Sequence, residues 1–275
     1  MNMFTPSDTP INRRQVFKIG GLTVSVAALV AACGSDVNGD TAPGRVGYAP
    51  PVTDPPEYSV DDAVLLRTAS SLENTAIALY GAAGDLADLD APTQALVSQL
   101  IDNHQATADE MAALTQAEGG VAWECTNPWL ENRLVAPLVE AIQASDNPTR
   151  DILNVAVAFE NLAASTHQVF SVQLTDPDAK SATLAAAMLA SRHSAAIVVL
   201  TRGPDGYISP GLYGDGIPTD PDGVPYNYAV TDRFGSVGQA ELIVGAADVN
   251  GKRTSFLLQT PAANSYIYNE LEPSC

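Results

Sequence analysis

Two stretches, LENTAIALY at residues 72–80 and FENLAASTH at residues 159–167, repeat one pattern. Each sets an apolar residue before a Glu-Asn pair and continues through small residues. Each ends on a ring seven positions past the glutamate, Tyr80 in one and His167 in the other. Seven residues is about two helical turns, so glutamate and ring share a face. That face is apolar. A carboxylate buried in an apolar stripe is costly unless it has a partner, and this chain places one there twice.

Working outward, both stretches lie inside long helical segments. Around the first, Ser59-Val60-Asp61-Asp62 supplies an N-cap and first-turn acids, and Val64, Leu65, Leu72, Ile77 and Leu79 give an aliphatic face as far as Gly81. A second helix opens at Ala91-Pro92, carries Leu96, Leu100, Ile101, Met111 and Leu114, and stops at Gly119-Gly120. The second stretch belongs to a third helix, started by Asp146-Asn147-Pro148, striped with Ile152, Leu153, Val155, Phe159 and Leu162, and ending near Leu174. The fourth runs from about Ala179 to Leu200, ahead of Gly203-Pro204. Short breaks join helices one to two and three to four. A long segment, 119–147, joins the pairs and holds Trp123, Cys125, Trp129 and a short apolar helix from Leu134 to Ile142. The expected fold is all-α, a four-helix bundle with one long crossover over residues 59–201. Residues 202–275 form an extension expected to pack on it: a coil rich in Gly, Pro, Asp and Tyr, then a β-hairpin. Its strands, Glu241–Gly245 and Thr254–Leu258, turn on Asn250-Gly251.

The polar pattern repeats with the hairpins. His104 follows Glu73 by 31 positions, and His193 follows Glu160 by 33. Folded about a pseudo-twofold axis, Glu73, His104, Glu160 and His193 converge in the bundle centre. Two carboxylates with two imidazoles are a donor set suited to a divalent metal such as iron, manganese or zinc. His167 adds a fifth donor or a partner that orients the others. All three histidines of the chain lie in this bundle.

On these residues the chain resembles the ferritin-like superfamily, in particular exported bacterial ferritin-like proteins with twin-arginine leaders, over residues 59–201. The di-iron pattern of that superfamily puts a Glu on each of two helices and Glu-x-x-His on each of the others. Glu73 and Glu160 match the lone glutamates. Ala190-Ser191-Arg192-His193 keeps only the His, and His104-Gln105-Ala106-Thr107 has His in place of the Glu and Thr in place of the His. The resemblance therefore implies a metal-binding bundle holding one ion, two at most. Di-iron oxidase or ferroxidase chemistry would need substitutes such as Asp102 or Asp109, whose offsets turn them off the His104 face. The other reading left open is a metal-free ferritin-like scaffold or interaction protein at the cell envelope.

Residues 1–33 carry a targeting signal. Arg13-Arg14-Gln15-Val16-Phe17-Lys18 precedes an apolar run, Ile19 to Ala32, too short and too interrupted by glycine to span a bilayer as a stable helix. This resembles a twin-arginine export signal, and Leu29-Val30-Ala31-Ala32-Cys33 resembles a lipoprotein processing box. The expectation is export, with lipid on Cys33 holding the protein to a bacterial membrane from the periplasmic or cell-surface side. Residues 34–57, rich in Gly, Pro, Asp and Thr, read as a flexible tether. The chain's net charge is −19, and removing residues 1–32 leaves 10 bases against 31 acids, or −21. A phosphate backbone needs a basic face, so this balance argues against nucleic acid as a partner. No protein partner is indicated, and homo-oligomerisation is left open. With Cys33 lipidated, Cys125 and Cys275 are an even pair that an oxidising compartment would join as a disulfide. The sequence has no Ser/His/Asp arrangement, phosphate-cradling glycine loop or Cys-x-x-Cys, so no catalytic residue is assigned.

Overall fold

An acidic or amide side chain caps the start of every long helix. The computed structural model describes residues 60–209, 219–231 and 239–260. In it α1 (Asp62–Leu86) starts under Asp61, whose carboxylate accepts the Val64 N–H, and α2 (Ala91–Ala117) under Asp90, which accepts from Thr93. Asn147 accepts the Arg150 N–H at the start of the later helix Pro148–Gln173, and Asp176 that of Ala179 at the start of Pro177–Arg202. All but α1 carry proline in the first turn, where its missing N–H has no intrahelical acceptor to lose. The cap of α1 is thus Asp61 and not Ser59. This helix also outruns its expected end, passing Gly81 and Gly84 to reach Leu86. Each glycine costs about 1 kcal/mol of helix propensity, which packing of Ala83 and Leu86 on the core offsets.

Between the two hairpins the crossover is buckled onto α1. Asn127 caps a single turn, α3 (Pro128–Leu130), which widens into a π-type turn over Glu131–Val135 and continues as α4 (Ala136–Gln143). The Asn127 N–H donates to Thr75 Oγ1 and its Nδ2 to Ser71 Oγ, while Ser70 Oγ donates to the Trp123 carbonyl. These hydroxyls flank Glu73, so the crossover holds the turn of α1 that carries the first glutamate. At Gly120, where the crossover leaves α2, a side chain would meet the Ala63 Cβ at 2.8 Å, so only glycine lets the chain pass.

The second hairpin is α5 (Pro148–Gln173) with α6 (Pro177–Arg202). Helix α1 packs on α2 and α5, and α6 packs on α5 and α2, closing a bundle. Its core has two apolar clusters. One, around Leu72, Leu79, Phe159 and Leu162, extends to α4; the other, around Leu66, Met111, Phe170 and Leu174, fills the opposite end. Asp62 ties the hairpins there, accepting from the Thr175 N–H and hydroxyl and from the Asp176 N–H at 2.8–3.0 Å. Among the described residues α6 is the one helix long and apolar enough to cross a membrane by length and composition. Its inward face, from Ala179 to Val198, is packed in the bundle.

The tail strands β1 (Gln239–Val244) and β2 (Thr254–Gln259) pair antiparallel, Leu242 opposite Phe256. Leu242, Val244 and Leu258 are buried against α4 and α5. Asn250-Gly251 lie in a tight turn, Gly251 at φ +77° giving its N–H to the Asp248 carbonyl, but the strands stop short of it. A longer loop joins them, organised by Asp248, whose carboxylate accepts the N–H groups of Asn250 and Lys252. Gly245 ends β1 at φ +86°, donates its N–H to Asp151 Oδ2 and passes the Ala141 carbonyl too closely for an unstrained side chain. The leader with Cys33, the tether, Cys275, Tyr213, Tyr266 and Tyr268 lie outside the described residues.

Candidate metal centre

The two apolar clusters meet at a band of polar side chains, one or more from each long helix. Helix α1 supplies Glu73 and Tyr80, α2 supplies Asn103 and His104, α5 supplies Glu160 and His167, and α6 supplies His193. All are buried except Asn103, which is half-buried.

His104 is the hub. Its Nδ1 lies 2.6 Å from Glu73 Oε2 and its Nε2 2.9 Å from Glu160 Oε1. Glu73 Oε1 is 2.6 Å from His167 Nε2. Glu160 Oε1 accepts from the Tyr80 hydroxyl at 2.6 Å, and its Oε2 is 3.3 Å from His193 Nδ1. Asn103 Nδ2 stands 3.0 Å from His193 Nε2. Every carboxylate oxygen is thereby satisfied, as burial demands. The five residues expected at the site thus form one connected network.

Both ring nitrogens of His104 face carboxylates, so both must carry protons to donate. Burial opposes the charge, but Glu160 and Glu73 outweigh it and push the His104 pKa up to about 10. Burial likewise opposes ionisation of Glu73, yet the charge and hydrogen bond of His104, with His167 behind them, hold it down at about 2. Glu160 is lowered in the same way. Burial and the Glu160 charge keep Tyr80 protonated. Without an ion, the centre is an imidazolium clamped between two carboxylates.

One donor atom each from His104, Glu160 and His193 lies within 4.8 Å of the others, so these three can hold a metal ion. Donors about 2.0–2.2 Å from a zinc-sized ion stand roughly 3–3.5 Å from one another. Glu160 faces one imidazole with each oxygen, Oε1 2.9 Å from His104 Nε2 and Oε2 3.3 Å from His193 Nδ1. Glu73 bonds the opposite edge of the His104 ring at Nδ1, and His167 bonds Glu73 in turn, both outside this trio.

The sequence put Tyr80 on the Glu73 face without making it a member of the donor network, and it missed Asn103. Tyr80 shares the face of Glu73 but gives its hydroxyl to Glu160 on the other hairpin. Asn103 had no signal beyond its place next to His104. Asp102 and Asp109, the substitutes a two-metal centre would need, are exposed, and Asp109 accepts from Gln105 at the surface. No family model matches the chain, and no curated protein or solved structure matches it either.

Proposed function

We propose that this is an exported, lipid-anchored bundle protein that binds one divalent metal ion through His104 Nε2, His193 Nδ1 and Glu160. The trio of buried donors from three helices, one atom of each within 4.8 Å of the others, carries the reading. Glu73 would orient His104 by accepting its Nδ1–H, as second carboxylates do for metal-bound histidines, and Tyr80 would do the same for Glu160. Two imidazoles and a carboxylate suit zinc, iron or manganese, and three protein donors leave a position where the ion supplies Lewis-acid character to a bound water. The paired hairpins and single long crossover support a ferritin-like reading of the bundle. Anchoring rests on Leu29-Val30-Ala31-Ala32-Cys33, and Cys33→Ser is expected to move the protein from the membrane to the soluble fraction.

A second reading follows from His104 itself. Its nitrogens are already partnered, so His104 needs no metal, and the buried polar band suits a scaffold that fixes helix register. Elemental analysis of the full chain, purified without chelators or added metal, separates the two. About one ion per chain, lost in His193→Gln and Glu160→Gln, is expected. A folded, metal-free parent that takes up no added zinc, manganese or ferrous iron would leave the scaffold reading.

A further inference from the structure

The crossover and the tail strands lie on one side of the bundle: α4 packs on α1 and α5, and the strands pack on α4 and α5. Helices α2 and α6, packed on each other, form the opposite side, which is open among the described residues. Burial follows that division, with 7 of the 27 residues of α2 buried against 15 of the 25 in α1. The outer face of α6 is apolar. Leu184, Met188 and Val199, spaced four and eleven positions apart, share one helix face and are each about half exposed. Ala185 and Ala196 are exposed beside them. An apolar stripe of this length in the open marks an association surface.

Charge says what covers it. Helix α2 carries Asp102, Asp109 and Glu110, all exposed, and no base. Past Asp178, α6 carries Lys180, Arg192 and Arg202 and no acid, in a chain of net charge −19. Arg192, Asp102 and Glu110 are exposed and make no ion pair among the described residues. An acidic helix beside a basic, apolar one is complementary to the same pair in a second copy. Asn103 Nδ2 lies 3.0 Å from His193 Nε2, so Asp102 and Arg192 stand at one level of the bundle. A twofold axis parallel to the helices lays α6 of each copy on α2 of the other without changing level. Each Arg192 then meets the other copy's Asp102. Two helices about 40 Å long and each about 10 Å across offer roughly 800 Å², the share of one partner in a stable interface. A membrane fits less well, because anionic headgroups repel the three carboxylates of α2 on the same side.

We propose that the chain forms a homodimer across its α2–α6 side, with Leu184 and Met188 near the centre and reciprocal Arg192–Asp102 ion pairs beside them. The dimer does not depend on a metal ion. Sedimentation equilibrium of the full chain tests it, with twice the 28.7 kDa of one chain expected. Met188→Glu and Arg192→Glu change exposed side chains outside the core, and each should weaken the dimer roughly tenfold or more, as loss of a central contact does. Arg192→Glu combined with Asp102→Arg restores the pair with its charges exchanged and should recover most of the affinity. Val172→Glu, at a position 81% exposed near the end of α5, should leave the dimer unchanged. A monomeric parent would overturn the proposal, including one that cosediments with phosphatidylglycerol vesicles through Met188, which would give the face to lipid. So would a dimer that Met188→Glu and Arg192→Glu both leave intact.

Discussion

At His104 one ring meets two carboxylates, and the consequence differs with and without an ion. A divalent metal at Nε2 must displace the proton now shared with Glu160, whereas the Nδ1–H to Glu73 stays. Glu73→Gln keeps the size of the side chain and removes its charge. Metal affinity should drop about 10–100-fold, the range for second carboxylates behind metal-bound histidines, with stoichiometry at saturation unchanged; competition against a chromophoric chelator measures it. The same network sets the pH response of the metal-free protein. The folded pKa of His104 is raised from 6.5 to about 10, so its contribution is whole below 6.5 and is lost as pH rises through 10. That of Glu73 is lowered from 4.5 to about 2, so its contribution is whole above 4.5 and is lost as pH falls toward 2. The urea midpoint should therefore be highest between pH 4.5 and 6.5 and fall on both sides, and a midpoint that climbs from pH 6.5 to 10 would contradict the clamped imidazolium. Glu73, Glu160 and the three histidines were legible because a charged residue in an apolar stripe needs a partner. Which of them share one ion was not, since Glu73 and His167 differ from the trio only in the side of the His104 ring they reach.

Among the elements, helix starts were the most legible feature. Asp90-Ala91-Pro92 and Asn147-Pro148 each combine a capping side chain with a first-turn proline, a local pairing that tertiary structure has no reason to override; Asp176-Pro177 does the same, so α6 starts two residues before the expected Ala179. Ends were less legible. Gly81 read as a stop but lies within α1, because packing beyond it outweighs propensity. Asn250-Gly251 read as a turn and lie in one, but the strands stop at Val244 and Thr254, with Asp248 collecting N–H groups of the loop between them. The tie between hairpins at Asp62 was invisible, its donors lying 113 and 114 positions away. Burial opposes ionisation of Asp62, but hydrogen bonds from Asp176 and Thr175 prevail and lower its pKa. Asp62→Ala deletes three charge-assisted bonds and leaves the Thr175 and Asp176 N–H groups without this acceptor. It should cost about 3 kcal/mol in denaturant unfolding. Metal content should be unaffected, because Asp62 stands at the start of α1, about three helical turns from Glu73.

Across the whole molecule, the polar band interrupts an otherwise apolar bundle, and the cost of that interruption differs between the two readings. A metal-free scaffold keeps its clamped imidazolium and is indifferent to added ions. A metal protein gains stability by mass action, because only the folded chain brings α2, α5 and α6 together at the three donors. With free ion at a hundred times its Kd the gain is about 2.7 kcal/mol, and for a domain of this size that is a rise in Tm of roughly 5–10 °C. Zinc, manganese or ferrous iron should produce the shift in the parent and in Glu73→Gln, the latter at higher ion concentration. His193→Gln should lose it altogether, since two donors on two helices no longer span the bundle. The gain should also grow between pH 6 and 8, because binding expels the Nε2 proton of His104, opposite in sign to the loss of stability expected of the metal-free protein above pH 6.5. Equal shifts in the parent and in His193→Gln would place the ion elsewhere, on the acidic surface, and leave the buried network as a device for helix register alone.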